Sequence, residues 1–207
     1  MPLPKVAPIV DTSWPRREVL KLAVQAYRCG EQRGQFDRPV LTVVDYSLPS
    51  SQPRLWVIDL EQKKVLHHEL VAHGEKTGEN MAVSFSNRVG SHQSSLGLYR
   101  TENTYHGQFG YSLRLSGLER GINDKARERA IVMHGQADVS RSFAAKWGTI
   151  ARSWGCLSVP PEVAPQIIDS IAGGSAIFVY YPDSEWLADS HYLNCEVQVA
   201  GAGAPGQ

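Results

Sequence analysis

At Val40 the spacing of apolar residues changes from helical to alternating, and that change limits what the chain can build. Val40–Tyr46 (VLTVVDY) is rich in β-branched side chains, Arg54–Leu60 (RLWVIDL) alternates, and Val65–Ala72 (VLHHELVA) follows the polar turn Glu61–Lys64. Such residues fit a pleated, half-buried surface, so the pattern predicts three strands in an antiparallel meander. Further strands are expected at Tyr99–Thr101, Tyr111–Leu115, Ala130–Met133, Ala176–Tyr181 and Cys195–Val199. Ahead of the change, Leu20, Ala23, Val24 and Tyr27 recur at helical spacing. Ser13 is the expected N-cap, Pro15 falls in the first turn where its missing N–H costs nothing, and Gly30 is the expected stop. Helical stretches are also expected from Asn123 to Arg129, from Val139 to Trp147 and from Pro161 to Ala172. In the last of these, Ile167, Ile168 and Ile171 form the apolar stripe before Gly173-Gly174. The sum is a mainly β (α+β) domain with a few helices packed on one side.

The chain divides into an N-terminal extension and helix (1–38), one main domain (39–200) and a Gly/Ala/Pro tail (201–207) that is expected to fray. At 207 residues it can bury one sizeable core. Residues 73–97 are polar, glycine-bearing and aperiodic, as in a long loop at the rim of a sheet, where function often sits. Lys and Arg together number 21, as do Asp and Glu, so no basic excess exists to attract nucleic acid or an anionic membrane. No run approaches the roughly 20 apolar residues that span a bilayer. Met1–Val6 lacks the apolar core of a signal peptide. Of the three cysteines none stands in a CxxC pair, which argues against structural zinc. Cys29 and Cys195 read as small buried hydrophobes; in an oxidising compartment they could pair and leave Cys156 free.

The chemistry centres on His134 and Cys156. His134-Gly135 closes the apolar run Ala130–Met133, so its imidazole sits where a buried strand reaches solvent. Cys156 ends Arg152-Ser153-Trp154-Gly155-Cys156. Gly155 permits a sharp turn, and successive N–H groups of such a turn can converge on one oxyanion. Val159-Pro160-Pro161 then starts a helix, whose positive end would favour the thiolate. Taken singly, Cys156 reads as a buried apolar residue and His134 as a strand-end histidine bonded to backbone. Taken together they read as a nucleophile and its general base, the imidazole held by a main-chain carbonyl.

These residues carry a resemblance. "VMHG" followed by "SWGC" resembles the L,D-transpeptidase (YkuD-type) signature, and more closely the murein L,D-transpeptidase catalytic-domain subfamily. The likeness extends through "LTVVDYSLPSSQPRLWVIDL", "VAHG", "SFSNRVGSHQSSLGLYRT", "TYHGQFGYSLRLSGLERGINDKARERAIVMHG" and "RSWGCLSVP", roughly residues 40–180. It implies a β-sandwich or open-barrel catalytic fold and a cysteine acyl-enzyme acting on the peptide stems of peptidoglycan, with no cofactor. By position, Cys156 would be the nucleophile and His134 the base. The Gly135 region would orient the imidazole through a main-chain oxygen, and the N–H groups of Trp154, Gly155 and Cys156 would form the oxyanion hole. The thiolate would release the terminal D-Ala, and an amine from a second stem would form a 3→3 cross-link. Water as acceptor would make the enzyme an L,D-carboxypeptidase or related hydrolase; a catalytically idle peptidoglycan-binding module is the remaining alternative. The resemblance also implies a periplasmic or otherwise extracytoplasmic enzyme, so the missing leader reads as trimmed.

The chain departs from the broader signature in having Trp154 where His is usual, Leu157 and Ser158 where Arg or Asn often follow, and a slightly longer His-to-Ser interval. The substrate carboxylate then needs another partner. Arg152, a planar donor suited to carboxylates, is one candidate, with a solvated surface arginine as the alternative. Ser153 is a second candidate for substrate binding. In the loop Gly90–Gly97, Ser91, His92 and Gln93 either line the substrate cleft or bond within the loop. Tyr105 either lines the cleft or packs, and Tyr111 is expected to pack. His67, His68, His73, His92 and His106 invite a metal reading, but adjacent strand residues such as His67 and His68 face opposite ways and no HExxH occurs. No metal is expected.

Overall fold

In the computed structural model, which describes residues 14–196, the alternating segments form one eight-stranded sheet. In chain order the strands are β1 (Val40–Asp45), β2 (Leu55–Asp59), β3 (Lys64–Glu69), β4 (Gly97–Gly107), β5 (Gly110–Gly117), β6 (Val132–Gly135), β7 (Leu157–Val159) and β8 (Ala176–Tyr180). The helices are α1 (Arg17–Gln32), α2 (Arg141–Trp147), α3 (Ala164–Ile171) and α4 (Ser184–Asp189). The expected meander is present, with Val43 opposite Trp56 and Trp56 opposite His68. Across the sheet the strand order is β3-β2-β1-β8-β4-β5-β6-β7, with β8 parallel to β1 and antiparallel to β4.

The two edges of this sheet nearly meet. Beyond β3 the chain turns toward β7, where the Ala72 N–H donates to Ser158 O (2.8 Å) and Gly74 bridges Ser153. The result is an open barrel whose seam lies beside Cys156. Such near-closure protects strand edges that would otherwise expose unpaired amides. Every residue of β1 and β8 is buried. Helix α1 packs on β1 and β8, whereas α3 touches β1, β2, β5 and β6, which spans both halves of the sheet. Ile167, Ile168 and Ile171 of α3 are wholly buried there, so truncating one to alanine would cost roughly 2–5 kcal/mol.

Several expectations are corrected. Helix α1 begins at Arg17, with Pro15 ahead of the N-cap Arg16, whose guanidinium is bound to Asp45 (2.8 Å) and Ser47. Ser13 lies outside the described residues. Gly30 does not end α1; it is buried inside it, where a Cβ would strike the Phe36 ring. Residues 120–130 form turns rather than a helix. Asn123 does not cap one: its amide donates to Leu96 O and Leu98 O, which ties this segment to β4. Ala130 takes a positive φ of 53° and precedes the strand expected to begin there. Strand β7 and helix α4 were too short to leave a periodic signal. Cys195 lies in a bend, with the rest of its expected strand outside the described residues. Cys29 and Cys195 are not separate apolar residues but a disulfide, which fastens the end of the described chain to α1.

Candidate active site

Strand β6 sits between β5 and β7, with His134 opposite Ser112 on one side and Ser158 on the other. The strand ends where the barrel wall opens into a cleft of about 890 Å³. Its lining includes Phe109, Arg129, His134, Arg152, Trp154 and Cys156. His134 and Cys156 therefore face one cavity, although neither is well exposed.

The imidazole is fixed at both nitrogens. Nδ1 lies 2.9 Å from Gly135 O, and Nε2 lies 3.1 Å from Ser158 Oγ. A carbonyl can only accept, so Nδ1 carries the proton and the Nε2 lone pair receives the Ser158 hydroxyl. Burial lowers the His134 pKa, and the bond to Gly135 opposes that shift in part. The ring is thus a neutral base near pH 7. Gly135 is needed for more than its oxygen: a Cβ there would stand 2.9 Å from Pro161 Cα.

Cys156 Sγ donates to Ala130 O at 3.7 Å. Burial raises the thiol pKa, opposed by the Val132 N–H and the Arg129 cation. The helix dipole expected to assist does not reach it. Cys156 leads into β7, and α3 begins only at Ala164, whereas the dipole's influence fades within the first turn.

The turn before Cys156 is closed on itself. Gly155 has φ +112°, and a Cβ there would lie 2.6 Å from Gln93 O and 3.2 Å from Arg129 Nη2. Only glycine fits this conformation without strain. The Gly155 N–H donates to Ser153 Oγ (3.0 Å), and that hydroxyl donates to Cys156 O (2.8 Å). Both the Gly155 amide and the Ser153 hydroxyl, expected to meet an oxyanion and the substrate, are bonded within the turn in this structure.

The remaining candidates separate into two groups. Arg152 and Trp154 line the cleft. Arg152 pairs with Glu79 at 2.5 Å, an exposed contact worth at most about 1 kcal/mol, so a ligand carboxylate can compete for it. Trp154 is 68% exposed and stacks on His92 with centroids 4.6 Å apart. Ser91, His92, Gln93 and Tyr105 do not line the cleft. His92 lies behind Trp154, bonded to Glu75 at 2.7 Å. Ser91 Oγ and Gln93 O accept from Arg129. The Tyr105 ring is covered by the Arg114 guanidinium, 4.0 Å from its centroid. These four act as support for the walls. The other histidines are dispersed: His67 meets Ser170, His68 stacks on Trp56, and His73 bonds Arg54.

Three contributors escaped the sequence reading. Phe109, at the tip of the β4–β5 hairpin, stacks on His134 with centroids 4.3 Å apart. Its only signal was an aromatic residue inside the turn Gly107–Gly110. Ser158 was a lone polar residue in an apolar strand, a position that demands a partner. Arg129 was a cation immediately ahead of a buried strand.

Residues 12–180 match the L,D-transpeptidase catalytic domain family. No curated protein sequence matches the chain. Among solved structures it is similar to an L,D-transpeptidase from Mycobacterium smegmatis, at 14% identity over 69% of this chain and 59% of that one, with a TM-score of 0.42. It is similar to L,D-transpeptidase 3 from Mycobacterium tuberculosis, at 13% identity over 69% and 61%, with a TM-score of 0.44. It is also similar to the helical cell shape determining protein Pgp2 from Campylobacter jejuni, at 11% identity over 83% and 58%, with a TM-score of 0.46. The chain spans less than two thirds of each of these proteins.

Proposed function

The chain belongs to the L,D-transpeptidase catalytic domain family, and from that premise we propose that it is a cysteine acyltransferase acting on the tetrapeptide stems of peptidoglycan. The observation that carries this reading is the pair of Cys156 and His134 in one cleft, with the imidazole tautomer set by Gly135 O. In the proposed reaction the Ser158 hydroxyl turns away from His134 Nε2, and the thiol leaves Ala130 O and passes its proton to the freed lone pair. The thiolate attacks the carbonyl between the third stem residue, a diamino acid reacting at its L-centre, and the terminal D-Ala. The oxyanion is received by the N–H groups of Trp154 and Cys156, since that of Gly155 is engaged. His134 returns the proton to the departing amine as the C–N bond breaks, leaving a thioester on Cys156. An amine from a second stem then attacks, loses its proton to His134 and displaces the thiolate, which forms a 3→3 cross-link. No cofactor is needed. The substrate carboxylate is assigned to Arg152, released from Glu79.

The disulfide between Cys29 and Cys195 supports a periplasmic or otherwise extracytoplasmic site of action, because such bonds persist in oxidising compartments. Among the described residues no helix is long and apolar enough to cross a membrane. The test is mass spectrometry after incubation with a disaccharide-tetrapeptide, with Cys156→Ala beside it. Loss of D-Ala with a cross-linked dimer, absent in the variant, is the expected result. Loss of D-Ala without a dimer would make the enzyme an L,D-carboxypeptidase. No reaction with either protein would overturn both and favour a binding module.

A further inference from the structure

Arg129 differs from the other cation of the cleft in having no acidic partner. Arg152 is neutralised by Glu79, but among the described residues no carboxylate lies within ion-pair distance of Arg129. Its hydrogen bonds go to neutral acceptors: Nη1 to Ser86 O (2.8 Å) and Ser95 Oγ (2.5 Å), Nη2 to Ser91 Oγ (3.3 Å) and Gln93 O. Those bonds use the fork that would otherwise grip a carboxylate bidentately, and they lock the guanidinium in place. The locked group is partly buried and lines the cleft. It presses on the nucleophile's turn, with Nη2 3.2 Å from where a Cβ on Gly155 would stand. The next residue, Ala130, holds the Cys156 thiol through its carbonyl. A buried cation without a counter-charge is costly unless an anion appears beside it. The anion that this site can generate is the Cys156 thiolate.

We propose that Arg129 is a fixed positive charge that stabilises the Cys156 thiolate, in the role that a helix dipole fills at other reactive thiols. It acts through the field at Sγ and is a positioning residue, not a group that binds substrate. The other charged or titratable groups facing this thiol are His134 on β6, Arg152 with its partner Glu79, and the buried Tyr46. Before any proton transfer two of these are muted: Arg152 by its ion pair, and His134 by its neutral tautomer. The attraction between Cys156 and Arg129 works in both directions, lowering the thiol and raising the guanidinium against their common burial.

The inference rests on Cys156 being the reactive thiol, and its test needs no peptidoglycan. The alkylation rate of Cys156 by iodoacetamide is followed against pH for the wild type, Arg129→Gln, Arg129→Lys and Ser95→Ala. Ser95→Ala removes one of the bonds holding the guanidinium while leaving its charge. Arg129→Gln should move the midpoint upward by about one pH unit or more, slowing alkylation near neutrality about tenfold. Arg129→Lys and Ser95→Ala should stay near the wild-type midpoint. Superimposed wild-type and Arg129→Gln profiles would overturn the proposal. So would an Arg129→Lys midpoint as high as that of Arg129→Gln, since the residue would then serve only to hold the loop. If Arg129→Gln does not fold, Arg129→Lys decides: a midpoint about one pH unit or more above the wild type's would overturn the proposal, and one near the wild type's is the expected result. A wild-type Cys156 inert at every pH would overturn the nucleophile assignment and this inference together; a reactive Cys156 indifferent to Arg129 would overturn only the inference.

Discussion

On one side of the cleft the Ser153–Cys156 turn is tied through Ser153 to the 73–97 loop, which is itself internally bonded. The Ser153 N–H meets His73 O (2.9 Å), the Glu75 N–H meets Ser153 O (2.7 Å), and the Gly74 N–H meets Ser94 Oγ (3.0 Å). Behind them the wholly buried Arg54 donates to Val71 O, Leu48 O and His73 Nδ1. On the other side the β4–β5 hairpin tip reaches over His134 with a single ring stack, and Phe109 remains 49% exposed. Buried, satisfied polar networks hold atoms in one arrangement, whereas an exposed stack contributes about 0.5–1.5 kcal/mol and is readily opened. The wall that carries Cys156 is rigid, and the wall that covers His134 is soft.

The comparison is broken most severely at Gly155. Gly155→Ala would force a Cβ against Gln93 O in a backbone conformation that L side chains avoid, so we expect a loss of about 3 kcal/mol by denaturant unfolding and loss of turnover. Arg54→Met should cost a similar or slightly smaller amount, about 2–3 kcal/mol, because buried acceptors at Val71, Leu48 and His73 lose their donor. Its thermal melt should fall while the disulfide stays intact.

The rigid wall should also be sensitive to acid. Burial, aided by the Arg54 cation, lowers the His73 pKa from 6.5 to about 4. The unfolded chain therefore takes up this proton before the folded one does. Stability is complete above about pH 6.5 and is lost as pH falls toward about 4, by up to about 3 kcal/mol in total. Urea midpoints measured across that window should show the slope, and His73→Asn should flatten it. The smallest effect sharpens the contrast from the other side. Phe109→Ala should change stability by less than about 1 kcal/mol while altering KM for the stem peptide several-fold. If Phe109→Ala destabilised as much as Arg54→Met, the distinction between the walls would fail.

The two walls were also unequally legible in the sequence. The meander, β8, α3 and the pair His134 and Cys156 could be read because period-two runs and an isolated histidine–cysteine pattern are local signals. The braces could not. Arg54, Ser158 and Arg129 act through partners distant along the chain, and nothing near them in sequence names those partners. Ser153 is a substrate-binding candidate from sequence, and Ser91 and Gln93 stay open between cleft and loop, because hydroxyls and amides suit either role; the fold shows the turn and loop bonds that engage them. The Cys29–Cys195 disulfide was legible only as an alternative to two buried apolar residues, because 166 residues separate the two and nothing local decides between the readings.

The most direct test of the central claim is the intact mass of the protein mixed briefly with a tetrapeptide stem and quenched in acid. The account predicts an adduct equal to the stem less D-Ala, mapped to Cys156 and absent from Cys156→Ala. An adduct on any other residue, or D-Ala release that persists in Cys156→Ala, would contradict it.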